Sequence, residues 1–354
     1  MINIKNILIV LSISTLYFSC SKEEPLPVRP EPLDSAVIEP EVGGPNEPNS
    51  AFVNLSSGEK SYARRDSWDF GFYCGDQFRV IINYSIFMAA KDLDFTDITA
   101  VGVDDVQDLY DEVAVATFDP MNVNYVDDFD GDINNTAIDE INDDNDLNKV
   151  YLVNMGFEVG TDTPIPGYTD VDGEHRGWKK IRVLKNNESY IIQYADIDAT
   201  TYQEKTISKN TDYNFTFFSV DINEVVEVES PKNEWDLNFT VFTNEIANYG
   251  TYGFTDFVLT NSRFNVQAYL MEEVNIPYDD FTANDIVPDS FENSQRVIGS
   301  SWRVGGGPDQ TPHVKEELYY IIKDTEGIYY KMKFITMLNA EGERGYPQFK
   351  YNIL

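Results

Sequence analysis

From residue 51 onward the chain is a succession of short runs in which apolar and polar residues alternate. Examples are "FRVIINYSIFM", "KIRVLKNNESYIIQYA", "NFTFFSV", "FNVQAYLM", "ELYYIIKDTEGIYYKMKFITML" and "QFKYNIL". A period of two sends successive side chains to opposite faces of a strand, and Tyr, Phe, Ile and Val suit a half-buried pleated surface. "LKNNESY" and "KDTEGIYY" set turn residues between two such runs, which marks hairpins. Amphipathic helical spacing is scarce, with "DDVQDLYDEVAVA" (104–116) the best candidate. These features predict an all-β, mostly antiparallel fold with few short helices.

One pentad occurs twice, in "SWDFGFYCG" (67–75) and "EWDLNFTVF" (234–242). Alternation places Trp68, Phe70 and Phe72 on one strand face, and Trp235, Leu237 and Phe239 likewise, which predicts a core stripe. Asp69 and Asp236 then point the other way, toward nearby backbone N–H groups. The flanks also correspond. "AFVNLSSGEKSYARRDSWDFGF" answers to "FTFFSVDINEVVEVESPKNEWDLNF", "DQFRVIINYSIFM" to "SRFNVQAYLM", and "VLKNNESYIIQY" to "IIKDTEGIYYKM". The Trp-Asp pair recurs after 167 residues but the hairpin after 138. The difference is assigned to an acidic insertion at 126–148. Two tandem β domains are expected, over 51–204 and 205–354.

The N-terminus reads as an export signal: Lys5, the apolar run "ILIVLSISTLYF", then "SC". The run is shorter than the roughly 20 apolar residues that a membrane-crossing helix needs. Ser19 before Cys20 predicts a lipoprotein signal peptide over 1–19, with Cys20 lipidated by acyl chains such as palmitate. Each buried methylene of such chains contributes about 0.8 kcal/mol. "SKEEP" directly after Cys20 resembles a surface-export signal. Residues 20–50 are expected to be the anchor and a Pro/Glu-rich tether, since seven prolines fall within 21–50. The expected location is the outer membrane, lipid-anchored and facing the cell exterior. Cys74 is then the one remaining thiol, read as a small buried apolar residue.

With 26 Lys and Arg against 61 Asp and Glu, the formal net charge is −35. Such a surface repels nucleic acid and anionic headgroups, so membrane contact is expected through the lipid anchor only. Nucleophile elbows, zinc-protease motifs, P-loops and dinucleotide fingerprints are absent from the sequence. A binding module, not an enzyme, is the expectation.

The second half carries a family resemblance. "FFSVDINEVVEVESPKNEWDLNF", Trp302, the "YYIIKDTEGIYYKMKF" hairpin and the closing "GYPQFKYNIL" resemble the HmuY-like family. "FVNLSSGEKS", "DSWDFGF" and the 181–194 hairpin extend the likeness to the first half. The resemblance implies two HmuY-like β domains and capture of haem or a related iron-porphyrin through two axial His or Met side chains on neighbouring loops. It also implies partners: haem or a haem-carrying protein, and an outer-membrane receptor. One family ligand falls a few residues past Trp302, where this chain has "RVGGGPD". The other falls upstream, where 272–301 lack both residue types and only Met271 stands at the edge.

The chain has two histidines, His175 and His313, 138 residues apart and each ten before a hairpin lysine, Lys185 or Lys323. Equivalent places in two repeats would make them a bis-His site for haem or a metal if their loops converge. The bland alternative is two surface histidines. Met155 and Met271 are alternative soft ligands. Met332 and Met337 are expected on opposite faces of one strand, hence not in one site. Tyrosine can also ligate haem iron, but with 22 tyrosines none is singled out. Asp128, Asp130 and Asp132 suggest a weak calcium loop. The EF-hand pattern itself fails, because Val126 and Ala137 stand where carboxylates are required; otherwise this stretch is a mobile acidic loop. The competing reading is a surface protein that binds glycan or protein through its aromatic residues.

Overall fold

The chain runs through the same succession of strands twice. A computed structural model describes residues 32–307 and 310–354; Cys20 and the expected export signal lie outside these. The first succession is β1 (Ser35–Ile38), β2 (Asn49–Val53), β3 (Lys60–Arg64), β4 (Phe70–Tyr73), β5 (Val80–Ile82), β6 (Ala89–Asp92), β7 (Val150–Asn154), β8 (Trp178–Asn186) and β9 (Ser189–Asp196). The second is β10 (Gln203–Ser208), β11 (Phe215–Ser219), β12 (Glu224–Val226), β13 (Leu237–Ile246), β14 (Gly250–Thr260) and β15 (Gln267–Glu272). It continues through a small ribbon of β16 (Arg303–Val304) and β17 (His313–Val314) to β18 (Leu318–Lys323), β19 (Tyr329–Leu338) and β20 (Arg344–Ile353). The registered strand pairs are antiparallel, so the all-β expectation holds.

Neither succession closes on itself. The sheets are ordered β1-β20-β19-β18-β15, β10-β9-β8-β7-β6, β12-β11-β4-β5 and β14-β13-β2-β3. Thus the first three strands of each half pair with the body of the other. β1 lies along β20 and β2 along β13, while β10 lies along β9 and β11 along β4. The expectation of two domains folded in tandem is corrected here: residues 32–354 are one compact unit built by reciprocal exchange.

The sheet order also corrects which segments correspond. β8–β9 occupies the place of β19–β20, not of β18–β19. Buried Lys180 in β8 and Lys331 in β19 bear this out, because each ammonium donates to two backbone carbonyls, Val101 and Ala199 or Tyr278 and Phe281. Likewise Tyr194 pairs with Ile181 as Tyr351 pairs with Met332. Upstream, "NYSIFM" (83–88) answers to "NSRFNV" (261–266). Asn83 Nδ2 donates to the Arg65 and Trp68 carbonyls, and Asn261 Nδ2 to those of Lys232 and Trp235. Each asparagine precedes one 3-10 turn that ends in a left-handed residue, Phe87 or Asn265.

Each half has a core between a four-stranded and a five-stranded sheet. Phe70 and Phe72 pack with Ile181, Tyr190 and Ile192; Leu237 and Phe239 pack with Tyr320, Met332 and Phe349. Trp68 and Trp235 leave these cores and enter a third cluster between them, with Phe52, Ala63, Phe217 and Val228. There each tryptophan meets a ring from the exchanged arm edge-on: Trp68 against Phe217 at 4.8 Å, Trp235 against Phe52 at 5.2 Å. Asp69 Oδ2 accepts from Val220 N at 2.7 Å and Asp236 Oδ2 from Leu55 N at 2.8 Å, so both aspartates clamp the incoming arm.

Three local expectations change. The tether is shorter than 20–50, because β1 joins a sheet and Ile38 and Val42 enter the core. The 104–116 helix is one turn, Val103–Val106, followed by a 3-10 turn at Gln107–Leu109. Val106 and Val113 are buried there, and Ala116 N donates to Thr251 O, so packing sets the path where a short isolated helix would be unstable. Met332 and Met337 lie in the same core, because an extra residue bulges from β19 between Phe334 and Thr336 and reverses the alternation.

Candidate functional site

The predicted ligands do not assemble. His175 sits in the 155–177 loop between β7 and β8, whose counterpart between β18 and β19 is a tight turn. His313 lies in β17, ahead of β18. The shared 138-residue offset therefore reflects no equivalence in the fold. Both His175 nitrogens are engaged: Gly177 N donates to Nδ1 at 3.2 Å, leaving Nε2–H to donate to Asn154 Oδ1 at 2.9 Å. Burial pushes its pKa below the usual histidine value, which keeps the ring neutral. The exposed His313 donates from Nδ1 to Thr311 O, and its Nε2 faces no partner among the described residues. Met155 is sealed in the first core, whereas Met271 flanks a separate cluster around Tyr319.

The acidic loop holds no calcium cage. Asp128 Oδ1 accepts from Asp130 N and Asp132 N, and Asp132 Oδ1 from Asn134 N. Asp130 pairs with Arg296 at 2.9 Å and accepts from Ser294 Oγ. No cluster of three His, Cys, Asp or Glu able to hold a metal occurs among the described residues. The loop is latched to the second half, so the calcium and mobile-loop readings both give way. Cys74 is buried, with Sγ 3.3 Å from Thr216 Oγ1.

The arrangement with chemical potential is an aromatic cleft that sequence reasoning missed. It encloses about 1220 Å³, counting solvent at its mouth, between the 155–177 loop, β14 and the start of the Gly-rich segment after β16. Phe87, Phe157, Tyr252 and Phe254 supply its rings. The Phe87 ring lies across Gly253, where an added Cβ would come within 2.2 Å of it, so this approach requires glycine. Tyr252 is 41 % exposed, and its hydroxyl makes no hydrogen bond among the described residues. Its ring stands 6.2 Å from exposed Phe118 and 6.0 Å from Phe254.

Charge underlies the rings. A bulge in β14 between Phe254 and Phe257 turns Asp256 inward, with its carboxylate paired to Arg344 and, at 3.6 Å, to Arg303. Fully buried Glu47 accepts from Asp256 N. Burial, and then the neighbouring Asp256 charge, push Glu47 up to about 8. This shift favours the protonated form of Glu47, and the Asp256 carboxylate faces two guanidiniums. In a protein of net charge −35, two guanidiniums, Arg303 and Arg344, line this one cleft, with Asp172 the carboxylate on its wall.

Backbone strain concentrates in the same place. Phe87 and Ala116 line the cleft at φ 64° and 62°, and Asp256 and Glu47 beneath it have φ 48° and 42°. Side chains rarely adopt such conformations, and they persist where surrounding structure enforces them, often at ligand sites. The available signal was Arg303 directly after Trp302, in the segment that lacks a His or Met.

No functionally curated protein matches the sequence. Similar solved structures include the apo HmuY analog of Tannerella forsythia, at 10 % identity over 90 % of this chain and 94 % of that one, TM-score 0.24. A structure described as an HmuY-like haem-binding protein from Bacteroides vulgatus gives 8 % identity over 90 % and 91 %, TM-score 0.22. One described as a lipoprotein from Bacteroides fragilis gives 9 % identity over 90 % of both chains, TM-score 0.22. At these TM-scores the likenesses carry no structural argument. The family model described as HmuY protein matches residues 46–351, from ahead of β2 into β20. The chain belongs to the HmuY family.

Proposed function

We propose that this protein is a binding module that captures haem or a related iron-porphyrin in the aromatic cleft, as a surface lipoprotein serving iron acquisition. The observation that carries this reading is a ring-walled cleft lined by two arginines in an otherwise strongly acidic protein. A porphyrin is flat, apolar and edged by carboxylates, and the residues present fit each feature. Phe87, Phe157 and Phe254 offer stacking faces. Arg303 and Arg344 supply charge to offset the carboxylates. The Tyr252 hydroxyl is the candidate axial oxygen, a ligand type known for haem iron. Membership of the HmuY family supports the same cargo.

Lipidation at Cys20 and exposure at the outer membrane belong to this proposal through the sequence pattern around Cys20. Among the described residues, no helix is long and apolar enough to cross a membrane.

Titrating haem into the purified protein tests the reading. A Soret band that shifts and saturates near one equivalent is expected, and an Arg303→Gln, Arg344→Gln double variant should bind at least several-fold more weakly. A spectrum identical to haem in buffer would overturn it. Binding of an oligosaccharide to the Phe118–Tyr252 pair, with no haem response, would favour the glycan reading instead.

A further inference from the structure

A second cleft lies where the exchanged arms meet, beneath the latched acidic loop, and encloses about 920 Å³ counting the solvent at its mouth. Phe52, Tyr84, Phe217, Trp235 and Phe242 furnish its rings. The lining is predominantly apolar with a few polar groups, as in small-molecule sites. Two lining atoms are buried without a hydrogen-bond partner among the described residues, the Trp235 indole Nε1 and Asn238 Oδ1. Their residues are only 7 % and 1 % exposed. Buried polar groups are nearly always paired, so an orphan donor and an orphan acceptor on one cleft suit a ligand that pairs with both.

The charges restrict its class. Glu229 Oε1 accepts from Asn214 N and Phe215 N, and Asp127 accepts from Ile82 N and Ala137 N. Burial pushes these carboxyls up, to about 8 and about 7, so their charge is muted near neutrality. Arg263 lines the cleft too, but its guanidinium donates to the Gly131 carbonyl and lies 5.3 Å over the Tyr73 ring. An anion would meet carboxyl groups with no free cation to receive it among the described residues. A wholly apolar molecule would leave both orphan atoms unpaired.

We propose that this cleft is a second binding site, for a small uncharged aromatic molecule presenting one hydrogen-bond acceptor to Trp235 Nε1 and one donor to Asn238 Oδ1. It is separate from the porphyrin cleft, and neither proposal depends on the other.

Benzamide, toluene and benzoate serve as probes, read through the indole N–H resonances of the ¹⁵N-labelled protein, with the Trp235 signal identified by its loss in Trp235→Phe. Benzamide should move that resonance saturably, toluene should bind about tenfold more weakly, and benzoate should leave it in place. In Asn238→Leu the benzamide affinity should fall several-fold while toluene binding holds. A Trp235 resonance unmoved by benzamide up to its solubility limit, or moved equally by toluene, would overturn the proposal. Should Asn238→Leu fail to fold, the benzamide and toluene comparison in the unmodified protein decides alone.

Discussion

Trp68 and Trp235 each join the interior of one half to an arm contributed by the other. Their large→small substitution therefore removes core volume and loosens the exchange at once. Trp68→Ala should cost about 3–5 kcal/mol, measured by chemical denaturation, and a variant with unchanged midpoint would contradict this role. Asp69 adds a term that its counterpart Asp236 lacks. Its Oδ1 accepts from Arg176 at 2.7 Å, an ion pair in which both side chains are almost wholly buried. Asp69→Ala removes this pair and the bond from Val220 N together, leaving the guanidinium its contact with Asp221 at 2.8 Å, with an expected loss of about 3 kcal/mol. Arg176→Met should cost less, because Asp69 keeps its bond from Val220 N. At this scale much was legible in sequence, since period-two alternation is local. The departure of the tryptophans from their phenylalanines was not, because it depends on a strand more than 140 residues away.

Strand periodicity and hairpin turns revealed the elements, and the paired pentads revealed that they recur. Which strand lies beside which stayed hidden, because an arm that pairs within its own half and one that crosses over carry the same alternation. The histidine offset misled for the same reason. It rested on equating β8–β9 with β18–β19, whereas buried Lys180 and Lys331 align β8 with β19. The aromatic cleft escaped notice because a β14 bulge, a left-handed Phe87 and a loop from the other half create it, and none has a periodic signature. Exchange predicts that neither half folds alone. A chain covering 205–354 lacks the β1 and β2 partners of β20 and β13, so its amide NMR spectrum should be poorly dispersed. A well-dispersed, cooperatively melting fragment would contradict the exchange.

For the molecule as a whole, acidity and burial act together. Glu47 and Glu229 are pushed up to about 8, and Asp127 and Asp236 to about 7, with burial the leading cause for each. A carboxyl whose folded pKa lies above its unfolded value binds more protons when folded. Its stability contribution is therefore full below the unfolded value near 4 and declines as pH rises through the folded value. Stability should fall steadily between about pH 5 and pH 8, reinforced by self-repulsion of the net charge. Thermal melts across that window check the trend, and Glu47→Gln should flatten part of it. Rising stability toward pH 8 would contradict the buried-acid assignments.

The upward shift of Glu47 leaves Asp256 as the carboxylate that Arg303 and Arg344 share beneath the cleft, and this joins the fold to the proposed cargo. The most direct measurement is parallel haem titration of three proteins by Soret absorbance: unmodified, Tyr252→Phe, and His175→Ala with His313→Ala. The aromatic cleft predicts that the double-histidine variant keeps the unmodified spectrum while Tyr252→Phe loses or shifts its Soret band. A band that survives in Tyr252→Phe and vanishes in the double-histidine variant would contradict it.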